Sequence, residues 1–291
     1  MEPQSKYVQL KDIRLHYLEW PGNGQPALLV HGSGLCAGTW EALAQSLASR
    51  FRVIAIDLRG HGDSDKPDGH YTWPEVVGDL PNFMDALDLL EVLLIGHSRG
   101  GGVAALGGPQ RPDRIWRMAL MEPSINLGMQ SRPVGITPAG ENGRPAGNPL
   151  AELTRRRRVL WPNYDAVYAA WRRTETLKNW REDVLWAYIK GGTRMREDGR
   201  LELKCPPDVE AQFYENRTPD SLYATMPNIT WPVLLLTTDN PRRQPAANPG
   251  YLALTRSSKD FRHVIIPGAS HFFPQERPVE VEKAIWDFVD S

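Results

Sequence analysis

The sequence predicts an α/β protein with a mostly parallel β-sheet that is covered by helices on both faces. Short apolar runs of strand length alternate along the chain with longer segments of helical periodicity. These runs are apolar throughout rather than at every second residue, as expected of strands that are buried on both faces. With 291 residues, the chain is long enough for one such domain with an insertion.

The predicted elements begin with a β-hairpin. Its strands are predicted at 7–10 and 13–20, where apolar residues either alternate with polar ones or follow one another. The later strands are predicted at 26–30, 51–56, 92–95, 117–121, 232–236 and 261–266. Helices are predicted at 39–50, 73–89, 154–189 and 279–289, with one more after residue 100.

The alternation of strands and helices stops in the middle of the chain, which indicates an insertion. We predict a core domain of residues 1–124 and 230–291 and an inserted unit of residues 125–229. Within the insertion, the stretch 130–150 is rich in glycine and proline and is predicted to be a loop.

Composition excludes several classes of protein. Basic and acidic side chains number 34 and 35, a formal net charge of −1, so no field of one sign attracts nucleic acid or an anionic membrane. The only two cysteines, Cys36 and Cys205, argue against a disulfide framework. Residues 1–11 lack the apolar stretch of a signal peptide, and no apolar run reaches the roughly 20 residues of a membrane span. We expect a cytoplasmic monomer or homodimer.

A candidate nucleophile lies in the segment Gly96-His97-Ser98-Arg99-Gly100, which matches the pattern G-x-S-x-G. A predicted strand precedes the segment and a predicted helix follows it, which is the context in which the pattern is catalytic. The glycines allow a sharp turn, in which strand and helix pack closely and the serine hydroxyl is exposed. We therefore predict that Ser98 is a nucleophile.

Four motifs together resemble the α/β-hydrolase superfamily, and they occur in the order found in that superfamily. They are His31-Gly-Ser-Gly34, the eight residues from Asp57 to Ser64, Gly96 to Gly101, and Gly268-Ala-Ser-His271. The resemblance covers the chain from about residue 7 to its end, apart from the insertion. It implies an eight-stranded, mostly parallel sheet and a helical cap formed by residues 125–229. It assigns no chemistry to the Asp57 loop and names no substrate.

The predicted base is His271. A neutral serine needs an imidazole within hydrogen-bond distance in order to act as a nucleophile. His271 follows the last predicted strand late in the chain, as the order serine, acid, histidine requires. The other six histidines lie in motif loops, in a predicted strand or without supporting context.

Two carboxylates are candidates for the acid. Asp239 follows the predicted strand 232–236, the usual place, but it comes early and lacks the glycine that typically precedes it in the superfamily. Glu122 ends the preceding strand, one helix and one strand after Ser98. Some α/β hydrolases, including zearalenone-type lactonases, resemble this chain in having a glutamate there. We favour Glu122 and keep Asp239 as the alternative.

The resemblance also implies an oxyanion hole, in which backbone amides stabilise the negative charge of a tetrahedral intermediate. Its two donors would be the amide of Arg99 and the amide of Ser33. Gly32 and Gly34, on either side of Ser33, would let the chain approach a substrate.

The predicted cap contains four of the ten tryptophans, so its inner surface is expected to be apolar. Trp161 and Trp186 are predicted to contact the substrate. The run Arg155 to Arg158 is expected to be solvated, with at most one arginine reaching inward to a substrate carboxylate.

These features predict the hydrolysis of a carboxylic ester or lactone of a small, largely apolar molecule, through an acyl-enzyme on Ser98. The alternatives are hydrolysis of a carbon–carbon bond in a dienoic diketone, because His31-Gly-Ser-Gly34 also resembles that group, and a non-catalytic small-molecule receptor with the same fold. The sequence contains no metal-ligand cluster and no phosphate-binding loop, so no metal and no cofactor are expected.

Overall fold

The computed structural model describes residues 2–125 and 148–291, so most of the stretch 130–150, predicted as a loop, lies outside the described residues. The described residues form eleven strands: β1 (Gln4–Gln9), β2 (Arg14–Trp20), β3 (Pro26–Val30), β4 (Arg52–Ile56), β5 (Val92–His97), β6 (Ile115–Met121), β7 (Leu160–Trp161), β8 (Thr193–Met195), β9 (Leu201–Leu203), β10 (Val233–Thr238) and β11 (Phe261–Ile266). The same residues form ten α-helices: α1 (Glu41–Leu47), α2 (Trp73–Ala86), α3 (Arg99–Gly107), α4 (Pro149–Arg155), α5 (Tyr164–Trp171), α6 (Glu182–Gly192), α7 (Pro207–Glu215), α8 (Pro249–Ser257), α9 (Phe273–Glu276) and α10 (Pro278–Val289).

Eight strands form one sheet in the order β1-β2-β4-β3-β5-β6-β10-β11. The predicted hairpin pairs β1 with β2 antiparallel, and β2 is also antiparallel to β4. All the other neighbours are parallel, so the carboxyl ends of β3 to β6, β10 and β11 meet at one edge of the sheet. The predicted class, an α/β protein with an eight-stranded, mostly parallel sheet, is confirmed.

Helices cover both faces of the sheet, as alternate residues of β3 demonstrate. Leu28 and Val30 belong to a buried cluster that also contains residues of α2, α3 and α8. Ala27 and Leu29 belong to a second cluster, which contains residues of α1 and α10. Burial on both faces explains why the strand is apolar at every position. Among the described helices, none has both the length and the apolar character needed to cross a membrane.

The prediction that 154–189 is helical is wrong over part of that stretch. The described chain forms α4, β7, α5 and α6 there, and β7, β8 and β9 make a small antiparallel sheet that the sequence did not predict. Pro162 disfavours a helical conformation at the residue before it, which ends one element. Asn163 then begins α5, because its side chain accepts a hydrogen bond from the Ala166 amide at 2.9 Å.

A third buried cluster holds together much of the described part of the inserted unit. It contains Trp161, Trp171 and Trp180, and it extends to Leu35 and Cys36 of the core. By contrast, the side chain of Phe213, on α7, belongs to the cluster that contains Leu28 and Val30, on one face of the sheet. The inserted unit therefore packs on the core at two places. Its predicted bounds, 125–229, remain a prediction.

Helix α3 follows β5 so closely that glycine is required at the contact. A Cβ atom on Gly100 would overlap the carbonyl oxygens of Val30 and His31. A Cβ atom on Gly96 would lie 2.6 Å from the carbonyl oxygen of Gly100. Backbone atoms cannot move aside as the end of a flexible side chain can. The turn between β5 and α3 therefore depends on both glycines.

We expect Gly100→Ala to destabilise the fold by about 1–3 kcal/mol or more, because the added methyl group meets backbone atoms of β3. The matched control is Gly78→Ala in α2, where a Cβ atom meets nothing within 4 Å. This control should raise the free energy of unfolding by about 0.5–1 kcal/mol, because alanine has a higher helix propensity than glycine. Urea unfolding measures both effects. Equal stability of Gly100→Ala and the wild type would contradict the close contact.

Candidate active site

Ser98 lies on the turn between β5 and α3, with a φ of 52° and a ψ of −117°. This conformation is strained for a residue other than glycine, and it persists only where the surroundings hold it. The Ser98 carbonyl oxygen accepts hydrogen bonds from the Gly102 amide at 3.0 Å and from the Ser124 amide at 2.8 Å. The half-buried Ser98 side chain is thereby held at the wall of a cavity.

His271 contacts both Ser98 and a carboxylate. Its Nε2 lies 2.9 Å from Ser98 Oγ, and its Nδ1 lies 2.6 Å from Glu122 Oε2. An ionised carboxylate only accepts hydrogen bonds, so Nδ1 carries the proton and Nε2 is free to accept from the Ser98 hydroxyl. The His271 carbonyl oxygen lies 2.9 Å from His97 Nε2, a contact that ties the histidine loop to β5.

Glu122 directly follows β6 and is 1% exposed. Its Oε1 accepts hydrogen bonds from the Thr238 amide at 3.0 Å and from the Thr238 hydroxyl at 2.7 Å. Burial raises the pKa of a carboxyl group, but the hydrogen bonds from His271 and Thr238 outweigh burial and lower the pKa of Glu122 to about 2. Glu122 is therefore ionised at neutral pH.

Asp239, the alternative acid, makes a different contact. Its exposed carboxylate accepts a hydrogen bond from the Gly268 amide at 3.1 Å, in the loop that leads to His271. Among the described residues, Glu122 is the carboxylate whose oxygen lies within hydrogen-bond distance of His271 Nδ1. The structure thus brings Ser98, His271 and Glu122 together and leaves Asp239 outside this set.

Two backbone amides next to Ser98 have no acceptor among the described residues, namely those of Ser33 and Arg99. Arg99 is the first residue of α3, and the first amides of a helix have no partner within it. The loop of Ser33 comes close to Ser98, because a Cβ atom on Gly32 would lie 3.2 Å from Ser98 Cβ. These positions agree with the predicted oxyanion hole, whose role stays a prediction.

Three side chains hold the loop that follows β3. His31 Nδ1 donates to the Gly32 carbonyl oxygen at 2.7 Å, and the Tyr188 hydroxyl donates to the Gly34 carbonyl oxygen at 2.6 Å. Burial lowers the pKa of His61 to about 3, so its ring is neutral and its Nε2 accepts from the Gly34 amide at 2.9 Å. The contacts of His61 and Tyr188 were missed by sequence reasoning, because they join segments that are distant in the chain.

His16, Asp57 and Asp63 are the described residues whose ligand atoms lie close enough to hold a metal ion, within 4.8 Å of one another. Two of them already bind each other, since His16 Nδ1 lies 2.6 Å from Asp57 Oδ2. The other Asp57 oxygen accepts from the Ala37 amide at 2.7 Å. We assign this cluster a structural role, in keeping with the expectation that the Asp57 loop carries no chemistry.

A cavity of about 640 Å³ opens beside Ser98 and His271. This volume lies within the range of small-molecule sites, about 300–1,000 Å³. Gly32 and Gly34, predicted to contact a substrate, are in its wall. The large apolar side chains of the wall are Leu35, Leu150, Leu153, Trp171, Leu177, Tyr188, Tyr214 and Phe272.

Trp161 and Trp186 are predicted to contact the substrate, but neither is among the described residues of the cavity wall. Trp161 is buried in the third cluster, with the Arg158 guanidinium 4.3 Å from its ring centroid. Trp186 stacks on Tyr168 at a centroid distance of 4.7 Å. Trp171 lines the cavity instead. Apolar periodicity identifies side chains that are buried, but it does not identify the neighbour that buries them.

One of the four arginines at 155–158 does reach the cavity. Arg157 lies in its wall and forms an ion pair with the buried Glu210 of α7. The Tyr214 hydroxyl donates to the same carboxylate at 3.2 Å. The partner of Arg157 could not be predicted, because Glu210 follows on another helix.

A serine, a carboxylate and a histidine that follow one another in this order along the chain, at the carboxyl edge of a parallel sheet, are typical of serine hydrolases with the α/β-hydrolase fold. The model of the alpha/beta hydrolase family matches residues 27–284. The chain therefore belongs to the alpha/beta hydrolase family, and the resemblance found in its motifs is confirmed.

Solved structures of several hydrolases are similar over nearly the whole chain. E-2-(acetamidomethylene)succinate hydrolase is 25% identical, with a TM-score of 0.77, over 99% of this chain and 100% of that chain. A thermophilic esterase from Thermogutta terrifontis is 27% identical, with a TM-score of 0.67, over 99% and 98%. The enol-lactonase from Burkholderia xenovorans LB400 is 24% identical, with a TM-score of 0.66, over 98% and 100%, and shows the fold alone.

Curated relatives match over shorter stretches. An uncharacterised protein of Mycobacterium tuberculosis is 41% identical over 100 residues, which are 34% of this chain and 29% of that protein. A haloalkane dehalogenase from Mesorhizobium japonicum is 33% identical over 120 residues, or 41% of this chain and 39% of the relative. The matches thus span well under half the length of these relatives. The family and its neighbours indicate a hydrolase of the α/β-hydrolase type.

We expect Glu122→Gln to lower kcat by ~10³- to 10⁴-fold with little change in thermal stability. The glutamine oxygen would stay with the Thr238 donors, so its amide nitrogen would face His271 Nδ1 and favour the wrong tautomer. Turnover of p-nitrophenyl butyrate measures the loss. Asp239→Asn is the matched control and should cost about tenfold or less. Similar losses in the two variants would contradict the assignment of Glu122.

The pH dependence of stability provides a second test of Glu122. Its pKa of about 2 in the folded protein is below the ordinary unfolded value of about 4.3. The stabilisation is therefore complete above the unfolded value and is lost as the pH falls toward 2. Urea unfolding between pH 6 and 3 should show the wild type losing stability relative to Glu122→Gln. A constant difference between the two proteins would argue against a lowered pKa.

Proposed function

We propose that the protein hydrolyses a carboxylic ester or lactone of a small, largely apolar molecule through an acyl-enzyme on Ser98. The observation that carries the proposal is the pair of contacts of His271. Its Nε2 lies 2.9 Å from Ser98 Oγ, while its Nδ1 lies 2.6 Å from the ionised Glu122. This geometry supports the transfer of a proton from the serine to the histidine as the serine attacks.

In the acylation step, Ser98 Oγ forms a bond to the substrate carbonyl carbon, and His271 Nε2 takes the serine proton. Glu122 stabilises the resulting imidazolium and keeps the ring oriented. The carbonyl oxygen becomes negatively charged, and the amides of Ser33 and Arg99 would donate hydrogen bonds to it. The carbon–oxygen bond to the leaving group then breaks, and His271 gives its proton to the departing oxygen.

In the deacylation step, water repeats the same chemistry. His271 Nε2 removes a proton from a water molecule, whose oxygen attacks the acyl carbon. The bond between that carbon and Ser98 Oγ breaks, and the proton on His271 returns to the serine. The products are a carboxylic acid and an alcohol, or a single hydroxy acid if the substrate is a lactone.

The cavity supports a small substrate with an apolar body, because leucine and aromatic side chains form much of its wall. The similarity to a thermophilic esterase, which is 27% identical, also supports cleavage of an ester bond. The catalytic serine argues against dehalogenation, for which this fold usually has an aspartate nucleophile, although a haloalkane dehalogenase is among the relatives.

We expect the purified protein to hydrolyse p-nitrophenyl butyrate and a fluorophosphonate probe to label Ser98. Ser98→Ala should lower kcat by several orders of magnitude, because the nucleophile is lost. The exposed Ser221→Ala, outside the cavity wall, is the matched control and should keep full activity and labelling.

Two outcomes would contradict the proposal. Near-normal turnover by a folded Ser98→Ala would exclude an acyl-enzyme on this serine. A wild-type protein that is folded but neither cleaves a panel of esters and lactones nor reacts with the probe would instead agree with a non-catalytic receptor.

A further inference from the structure

A second arginine in the cavity wall, Arg243, is placed differently from Arg157. Arg243 ends the short turn Pro241–Arg243 that follows β10, and its side chain is 40% exposed. It belongs to the same cavity wall as Ser98 and His271. Arg157 is neutralised by its ion pair with Glu210, whereas the nearest carboxylate to Arg243 is Glu122.

The carboxylate of Glu122 already accepts three hydrogen bonds from other groups. Its Oε1 accepts from Thr238 at 3.0 and 2.7 Å, and its Oε2 accepts from His271 at 2.6 Å. Arg243 Nε lies 3.6 Å from Oε2, which is beyond hydrogen-bond distance. Burial raises the pKa of Tyr251, and the nearby positive charge of Arg243 opposes that rise. Since a guanidinium has five N–H groups, most of the donors of Arg243 have no acceptor among the described residues and remain available to a ligand.

The charge of Arg243 also matters for the proposed reaction. In the transition state His271 becomes an imidazolium, and Glu122 then balances the charge of His271. Glu122 Oε2, which lies 3.6 Å from Arg243 Nε and 2.6 Å from His271 Nδ1, then faces two positive charges with a single negative one. An anion bound to Arg243 would remove the repulsion between these two positive charges at the stage where it raises the barrier.

We propose that Arg243 binds a carboxylate of the substrate, and that the substrate is an ester or lactone with one anionic group on the leaving-group side of the scissile bond. The carbonyl oxygen would face the Ser33 and Arg99 amides, and the departing oxygen faces His271, which protonates it. Arg243 is on the side of His271 and Glu122, so the anion belongs to the leaving group. This inference rests on the proposed ester hydrolysis.

The test compares two esters that differ in one charge on the leaving group, p-acetoxybenzoate and the neutral p-acetoxybenzamide. The quantity measured is the ratio of kcat/KM for the anionic ester over the neutral one. Arg243→Gln should lower this ratio by about 10- to 100-fold, the effect of losing a charge-assisted hydrogen bond. Arg243→Lys should keep part of the ratio, because it preserves the charge but not the planar fork.

The neighbouring Arg242→Gln is the matched control, since Arg242 is exposed and is not in the cavity wall. It removes the same charge one residue away and should change the ratio by about twofold or less. If Arg243 only held Glu122 in place, Arg243→Gln would slow both esters together and leave the ratio unchanged. An unchanged ratio therefore overturns the proposal.

A second pair of esters locates the anion. Mono-p-nitrophenyl glutarate has its charge on the acyl side, and p-nitrophenyl butyrate is its neutral counterpart. The ratio for this pair should be nearly the same in the wild type and in Arg243→Gln. A larger loss for the acyl-side pair than for the leaving-group pair would overturn the placement of the anion.

The wild-type protein provides a further test, in case Arg243→Gln does not fold. Binding of p-hydroxybenzoate as a competitive inhibitor should be at least about tenfold tighter than binding of p-hydroxybenzamide. Equal inhibition overturns the anion site. Turnover of neutral esters with no preference for anions contradicts only this inference, whereas no turnover of any ester and no labelling of Ser98 contradict the proposed function itself.

Discussion

The contact between α3 and the carboxyl ends of β3 and β5, which only glycine permits, sets the geometry of the site. Because Gly96 and Gly100 let the helix approach the strands, the chain must reverse within one residue, and that residue is Ser98 with its positive φ. The same turn makes Arg99 the first residue of the helix, so its amide has no partner within the helix. One steric constraint therefore fixes the position of Ser98 and also that of the Arg99 amide, the proposed nucleophile and the proposed donor to the oxyanion.

The position of the acid follows from the parallel pairing of β6 and β10. These strands are hydrogen-bonded neighbours, and the Glu122 amide donates to the Leu236 carbonyl oxygen at 3.0 Å. Carboxylates after either strand therefore lie at the same edge of the sheet, near the loop after β11. The Thr238 amide and hydroxyl stabilise a charge on Glu122 that burial alone would disfavour. The hydrogen bonds of Thr238 thus make the position after β6 suitable for an ionised acid.

The cavity combines apolar walls with a few polar groups whose charges are balanced in different ways. Arg157 and Glu210 neutralise each other beside the loop of Gly34. The Tyr188 hydroxyl holds that loop by donating a hydrogen bond to the Gly34 carbonyl oxygen. Arg243 is near the acid, yet it shares no hydrogen bond with it. Because low-dielectric walls strengthen the interactions of such charges, we expect their arrangement, rather than the size of the cavity, to distinguish one small ligand from another.

The sequence by itself determined the fold class, the sharp turn at Ser98 and the choice of His271 as the candidate base. Glycine sterics and strand periodicity act over a few neighbouring residues, and the order of the motifs can be read directly along the chain. It left Glu122 and Asp239 open, since both follow strands that end at the same edge. Only the tertiary structure decided which carboxylate meets His271, and that Trp171 rather than Trp161 lines the cavity. Such contacts depend on how distant elements pack, which local pattern does not encode.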